Sequence, residues 1–151
     1  MNKAYNIQQI DNVFELLLSS SSYIKESWND YFDEEYKNNQ LRLMYFDMTA
    51  IGGFVVKLFQ QKKTKDLHLF FDNVELILHD ADSEVKNLIL TGLIEGIQQI
   101  CQYENIDIRY EFDNYFHPLT KRNWDEITAF FTFDKKKPPE KFLTAFSVIK
   151  K

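Results

Sequence analysis

Two histidines and two carboxylates stand at successive helical steps in one short stretch: His68, Asp72, Glu75 and His79. Imidazole nitrogens and carboxylate oxygens ligate divalent metals, and spacings of four, three and four put these groups on one helix face. The ends of the stripe are too far apart to share an ion. Eleven residues at about 1.5 Å each separate His68 from His79 by about 16 Å. The competing reading is the polar side of an amphipathic helix whose apolar side faces a core. His117, the remaining histidine, precedes Pro118 and reads as a local hydrogen-bonding group in a loop rather than a general base. Cys101 lies on an apolar stripe with no adjacent base, and apolar surroundings raise a thiol pKa, so it reads as a small core residue. No serine sits in a nucleophile-elbow pattern. The four glycines, Gly52, Gly53, Gly92 and Gly96, all fall in apolar segments, leaving no loop to cradle a phosphate. The residues predict no catalytic centre, metal site or cofactor.

A second cluster suits binding. In Trp28-Asn29-Asp30-Tyr31-Phe32-Asp33-Glu34-Glu35-Tyr36, aromatic rings alternate with carboxylates. Rings supply burial at an interface and carboxylates steer a basic partner, so Trp28, Asp30, Tyr31, Asp33, Glu34 and Glu35 are candidate partner-binding residues. An ordinary amphipathic helix with its rings turned inward gives the same pattern.

The elements that position these groups read as helices. Ile7, Ile10, Phe14, Leu17 and Leu18 share a stripe in residues 6–18, and the run Ser19–Ser22 then starts a second helix that stops at Asn38-Asn39. Residues 41–61 are read as helix, with strand as the competitor over 53–58. Asp66 is expected to cap a fourth helix that buries Leu67, Phe70, Phe71, Val74, Ile77 and Leu78. Residues 82–101, capped by Asp82 or Ser83, form the clearest helix of the chain. There Gly92 and Gly96 lie one turn apart at about 1 kcal/mol each against alanine, which predicts close approach of another helix. Residues 106–112 alternate apolar and polar, and are read as a short strand or an extended connection. Thr120 is expected to cap a helix burying Trp124, Ile127, Phe130 and Phe131. After Pro138-Pro139 a last helix would carry Phe142, Leu143, Phe146 and Ile149. The whole is an all-α fold of about seven stacked antiparallel helices in one domain over residues 1–151, with a HEAT-like solenoid as one description.

Composition narrows the function classes. A chain that is 44% hydrophobic and 16% aromatic over 151 residues can bury a real core. A net charge of −5 argues against general binding of nucleic acid, which needs Lys and Arg to neutralise phosphates. The charge is uneven: residues 1–40 hold seven carboxylates against three lysines, and residues 133–151 hold six lysines against two carboxylates. One cysteine, charges interrupting every long apolar run and no signal-peptide pattern predict a cytoplasmic protein that neither enters nor spans a membrane.

The run HLFFDNVELILHDADSEVKNLILTGLIEGIQQI, followed later by LTKRNWDEITAFF, resembles small all-helical bacterial immunity proteins of contact-dependent inhibition and other polymorphic-toxin systems. The likeness spans roughly residues 66–131: an aromatic and aliphatic helix, the acidic turn Asp80-Ala81-Asp82-Ser83, a long helix opening Glu84-Val85-Lys86-Asn87, and a later helix with Trp124-Asp125-Glu126. It implies a stoichiometric inhibitor of a cognate toxin domain, and no particular contact residues. A cationic nuclease would suit the acidic chain by charge. The alternatives are a helical adaptor or scaffold with no toxin partner and a metal-dependent enzyme built on the His68 stripe.

Overall fold

A computed structural model describes residues 3–38 and 40–131, with side chains described from residue 9 to residue 130. Six helices and no strand occur among the described residues. They are α1 (Lys3–Leu18), α2 (Ser22–Glu35), α3 (Met44–Gln60), α4 (Thr64–Asp80), α5, and α6 (Pro118–Phe131). Helix α5 runs unbroken through an α segment, Ser83–Asn87, a π segment, Leu88–Ile94, and a second α segment, Glu95–Tyr103. The all-α reading holds, and residues 53–58 are helix. The last helix expected after Pro138-Pro139 lies outside the described residues. Among those described, no helix is long and apolar enough to cross a membrane.

Helix α3 is the centre. A helix that is apolar on every side must be covered on every side, and Asp47 through Val56 form an unbroken buried run. Helices α2, α4 and α5 all pack on α3, while α1 closes over α2 and α4. One continuous core results, with Trp124 of α6 fully enclosed at its far side.

Glycine spacing sets the closest crossing. A Cβ on Gly92 would lie 3.0 Å from Met48 Cβ, one on Gly96 3.1 Å from Thr49 Cγ2, and one on Gly52 3.1 Å from Ile97 Cγ1. The numbers climb together on both helices, so α3 and α5 run in the same direction and α4 is the return between them. The π segment is seen directly in the Glu95 N–H, which donates to Leu90 O five residues back. Thr49 Oγ1 reaches across to Gly92 O at 2.9 Å and is also 3.0 Å from Tyr45 O within its own helix. A polar clasp therefore sits where the backbones meet.

Local signals place most ends. Ser21 Oγ accepts the Ile24 N–H at 3.3 Å to cap α2, and Asp82 Oδ1 accepts the Val85 N–H at 2.9 Å to cap α5. Helices α3 and α5 both stop at a left-handed residue, Lys62 (φ 60°) and Asn105 (φ 61°). In each, the next N–H bonds a carbonyl five residues back, Lys63 to Leu58 and Ile106 to Cys101.

Four expectations need correction. Residues 41–43 are not helical, since α3 starts at Met44. Asp66 does not cap α4; it lies in the first turn, where its carboxylate accepts Ser21 Oγ–H at 2.8 Å and ties α2 to α4. Residues 106–112 form turns rather than a strand, leading into a single 3₁₀ turn at Asp113–Tyr115. Phe130 is 78% exposed because the inward side of α6 is taken by Trp124 and Thr120.

Gly96→Leu should destabilise the fold by about 1–3 kcal/mol, the range for an overpacked contact. Denaturant unfolding measures it, and an unchanged or higher midpoint would contradict the close crossing.

Candidate functional site

Asp47 sits in the first turn of α3, where the helix dipole favours a negative charge. It is completely buried, and an ionised carboxylate there needs several donors. Tyr31 Oη–H donates to Asp47 Oδ1 at 2.9 Å and Tyr36 Oη–H to the same oxygen at 2.6 Å. Arg42 Nε–H donates to Oδ2 at 3.1 Å, and Arg42 Nη2 lies 3.1 Å from Oδ2 as an ion pair whose angle falls short of a hydrogen bond. The guanidinium is also packed over three rings, 4.9 Å from the centroid of Phe14, 5.5 Å from Phe32 and 5.6 Å from Trp28. Burial pushes the Tyr31 hydroxyl far above its ordinary pKa, and the Asp47 charge adds to that. Tyr36 is pushed up to about 12, by burial first and then by its bond to Asp47, against the Leu43 N–H and Arg42. Both hydroxyls thus remain protonated donors.

This network fixes the chain between α2 and α3. Tyr36 Oη also accepts the Leu43 N–H at 2.9 Å, and Leu43 O accepts the Asp47 N–H at 2.8 Å. Around it, α2 divides cleanly. Trp28 and Tyr31, two of the candidate contact residues, are 8% and 2% exposed and belong to the core. Trp28 is ringed by Phe14, Tyr31 and Phe32 at centroid distances of 5.5–5.7 Å. Asp30, Asp33 and Glu34 are exposed and Glu35 is half-buried, so the carboxylates keep the outer face. Reading the sequence alone missed Arg42 and Asp47. The signal was there: Asp47 is the lone charge between Leu43 and Val56.

The His68 stripe makes contacts with residues 115–120. His68 meets the Tyr115 ring edge-on at 4.7 Å, and Asp72 Oδ1 lies 2.6 Å from His117 Nε2. The Glu75 carboxylate accepts the Leu119 N–H at 3.1 Å, the Thr120 N–H at 2.8 Å and the Thr120 hydroxyl at 2.8 Å. His79 Nε2 is 3.3 Å from Glu75 Oε2, the oxygen that takes the Leu119 N–H. Pro118 opens α6 without an N–H, and Glu75 on α4 caps the next two. Thr120, expected to cap α6 itself, instead donates to Glu75. The stripe is the seam that docks residues 113–120 onto α4, and no group of three His, Cys, Asp or Glu side chains among the described residues is placed to hold a metal ion. Cys101 is buried with its thiol pushed up by that burial and by Glu104, so it is a poor nucleophile.

Desolvation raises Glu75, but the Thr120 and Leu119 donors and His79 outweigh it and hold the carboxyl below its ordinary 4.5. A folded-state pKa lowered in this way contributes stability that is complete above the unfolded value and is lost as pH falls through the folded one. Glu75→Gln should therefore cost about 1.5–3 kcal/mol at neutral pH, the range for hydrogen bonds to a charged group. The loss should shrink as pH falls below 4.5. Urea unfolding across that range checks it, and a loss independent of pH would contradict the charged cap.

No curated protein and no solved structure matches the chain. A family model described as "Domain of unknown function (DUF7674)" matches residues 14–132, spanning α2 to α6 and the end of α1, and the chain belongs to that family.

Proposed function

We propose that this protein acts without chemistry of its own, as an immunity protein that binds and neutralises a basic toxin domain in the cytoplasm by stoichiometric contact. The observation that carries the reading is the division of α2. Its rings are spent on the core, and Asp30, Asp33 and Glu34 stand exposed, Glu34 with Lys37 Nζ at 3.1 Å, on a helix that the Tyr31 bond to Asp47 ties to α3. A fixed row of like charges raises the encounter rate with an oppositely charged partner and rejects partners of the same sign. The net charge of −5 acts in the same direction over longer range. The resemblance of residues 66–131 to helical immunity proteins supplies the class of partner.

The test uses the C-terminal toxin domain that the immunity reading expects in a secreted protein encoded directly upstream. Stopped-flow association should be fast and fall with added salt. Reversing Asp30→Lys, Asp33→Lys and Glu34→Lys together should slow association about ten-fold or more and flatten its salt dependence, with little change in dissociation. Equal, salt-independent association rates would remove this face from the interface. Absence of any binding would remove the immunity reading.

A further inference from the structure

Exposure alternates from the α2–α3 connection into the first turn of α3. Arg42, Met44 and Phe46 turn inward, while Leu41, Leu43 and Tyr45 are 89%, 56% and 45% exposed. Three large apolar side chains are thus exposed within five residues, Leu41 and Leu43 in the connection and Tyr45 in the first turn of α3, and they form a short apolar ridge. The other exposed large apolar residues, among those described, are seven or more positions apart in the chain. Single exposed side chains are ordinary on a protein surface, whereas a contiguous row marks an interaction site.

Leu43 and Tyr45 also form one wall of a groove that continues over Ile10, Met44, Phe46 and Leu88, with Glu84 at its edge. A second groove meets it at Arg42, floored by Phe14, Trp28 and Phe32 and rimmed by Asp11, Glu15 and Asp33. Arg42 is the cation common to both, and Asp47 at 3.1 Å and Asp11 at 4.0 Å balance its charge, leaving Glu15, Asp33 and Glu84 as the negative rim. An occupant of this corner therefore finds apolar anchorage inside a negative rim. The ridge is also preorganised, because the Tyr36 and Asp47 bonds hold Leu43 in place, and a fixed loop loses less entropy on binding.

We propose that the Leu41–Leu43–Tyr45 ridge and its groove anchor an amphipathic, basic segment of a partner protein, apolar side chains in the groove and Lys or Arg on the carboxylate rim. This rests on the reading above that the chain binds a basic protein, and it assigns the energetic centre of that contact to the ridge while α2 governs encounter. A second copy of the chain is a poorer occupant. A two-fold contact here would set the acidic corner against itself.

The experiment compares three full-length proteins against the same upstream toxin domain: wild type, the α2 charge reversal, and Leu41→Ser with Leu43→Ser and Tyr45→Ser. Because the three ridge side chains are exposed, the ridge variant should unfold at the wild-type midpoint. Its complex should dissociate about thirty-fold faster or more, as for loss of a central anchor, with association nearly unchanged. A ridge variant that dissociates like wild type, while the charge reversal still slows association, overturns the ridge and leaves the immunity reading standing. A wild type that does not bind overturns both. Concentration-dependent dimers of wild type that the ridge substitutions abolish would give the ridge to a second copy and overturn the proposal.

Discussion

A carboxylate that is completely buried at the start of the central helix has to be answered by donors. Asp47 is answered from three places at once: Tyr31 on α2, Tyr36 just past its end, and Arg42 in the extended connection. Removing one partner from such a set leaves an uncompensated buried charge, worth about 3–5 kcal/mol in comparable cases. Each hydroxyl alone is worth about 1.5–3 kcal/mol. The charge pair is thus the larger effect, and the tyrosines complete it. Because the donors come from different elements, their geometry dictates where α2 ends, where α3 begins and which residues between them face outward.

The rest of the fold is built outward from α3 by contacts that trade local cost for packing. Gly92 and Gly96 weaken α5 by about 1 kcal/mol each against alanine. Their missing side chains let Met48 and Thr49 approach to van der Waals distance, and the Thr49 hydroxyl bonds the widened π segment at Gly92 O. On the opposite side, Glu75 lends α6 the cap that Pro118 and the turns before it do not provide, and Trp124 Nε1–H donates to Ile108 O at 2.7 Å in the same layer. The polar stripe of α4 is the seam that docks the segment before the last helix.

What the sequence made legible is what depends on near neighbours. The apolar stripes of α1, α2, α4 and α5, the start of α2 in the Ser19–Ser22 run, the cap at Asp82 and the close approach at Gly92 and Gly96 all follow from near-neighbour spacing. The π segment was invisible, because an inserted residue leaves Leu88, Ile89, Leu93 and Ile97 in a pattern still readable as an ordinary helix. Asp47 and its donors were missed since no local rule links Tyr31, Tyr36 and Arg42 to a carboxylate on another element. For the same reason Trp28 and Tyr31 stood beside Asp30 and Asp33 as equals in the sequence, and only packing against Phe14, Phe46 and Arg42 separates core from surface. The ridge at Leu41, Leu43 and Tyr45 was hidden by reading residues 41–43 as the first turn of a helix.

If Asp47 and Arg42 set the corner from which binding is organised, the segment between α2 and α3 is held in place before any partner arrives. Amide hydrogen exchange of the free protein tests this directly in Arg42→Met, which keeps an apolar stem against the Phe14, Trp28 and Phe32 rings and removes the charge. The Leu43 and Asp47 amides should exchange about a hundred-fold faster than in wild type, as loss of roughly 3 kcal/mol of local stability requires, while those in the middle of α4 and α5 change far less. Unchanged protection at Leu43 and Asp47, or an equal loss in every helix, would contradict a local clamp at this corner.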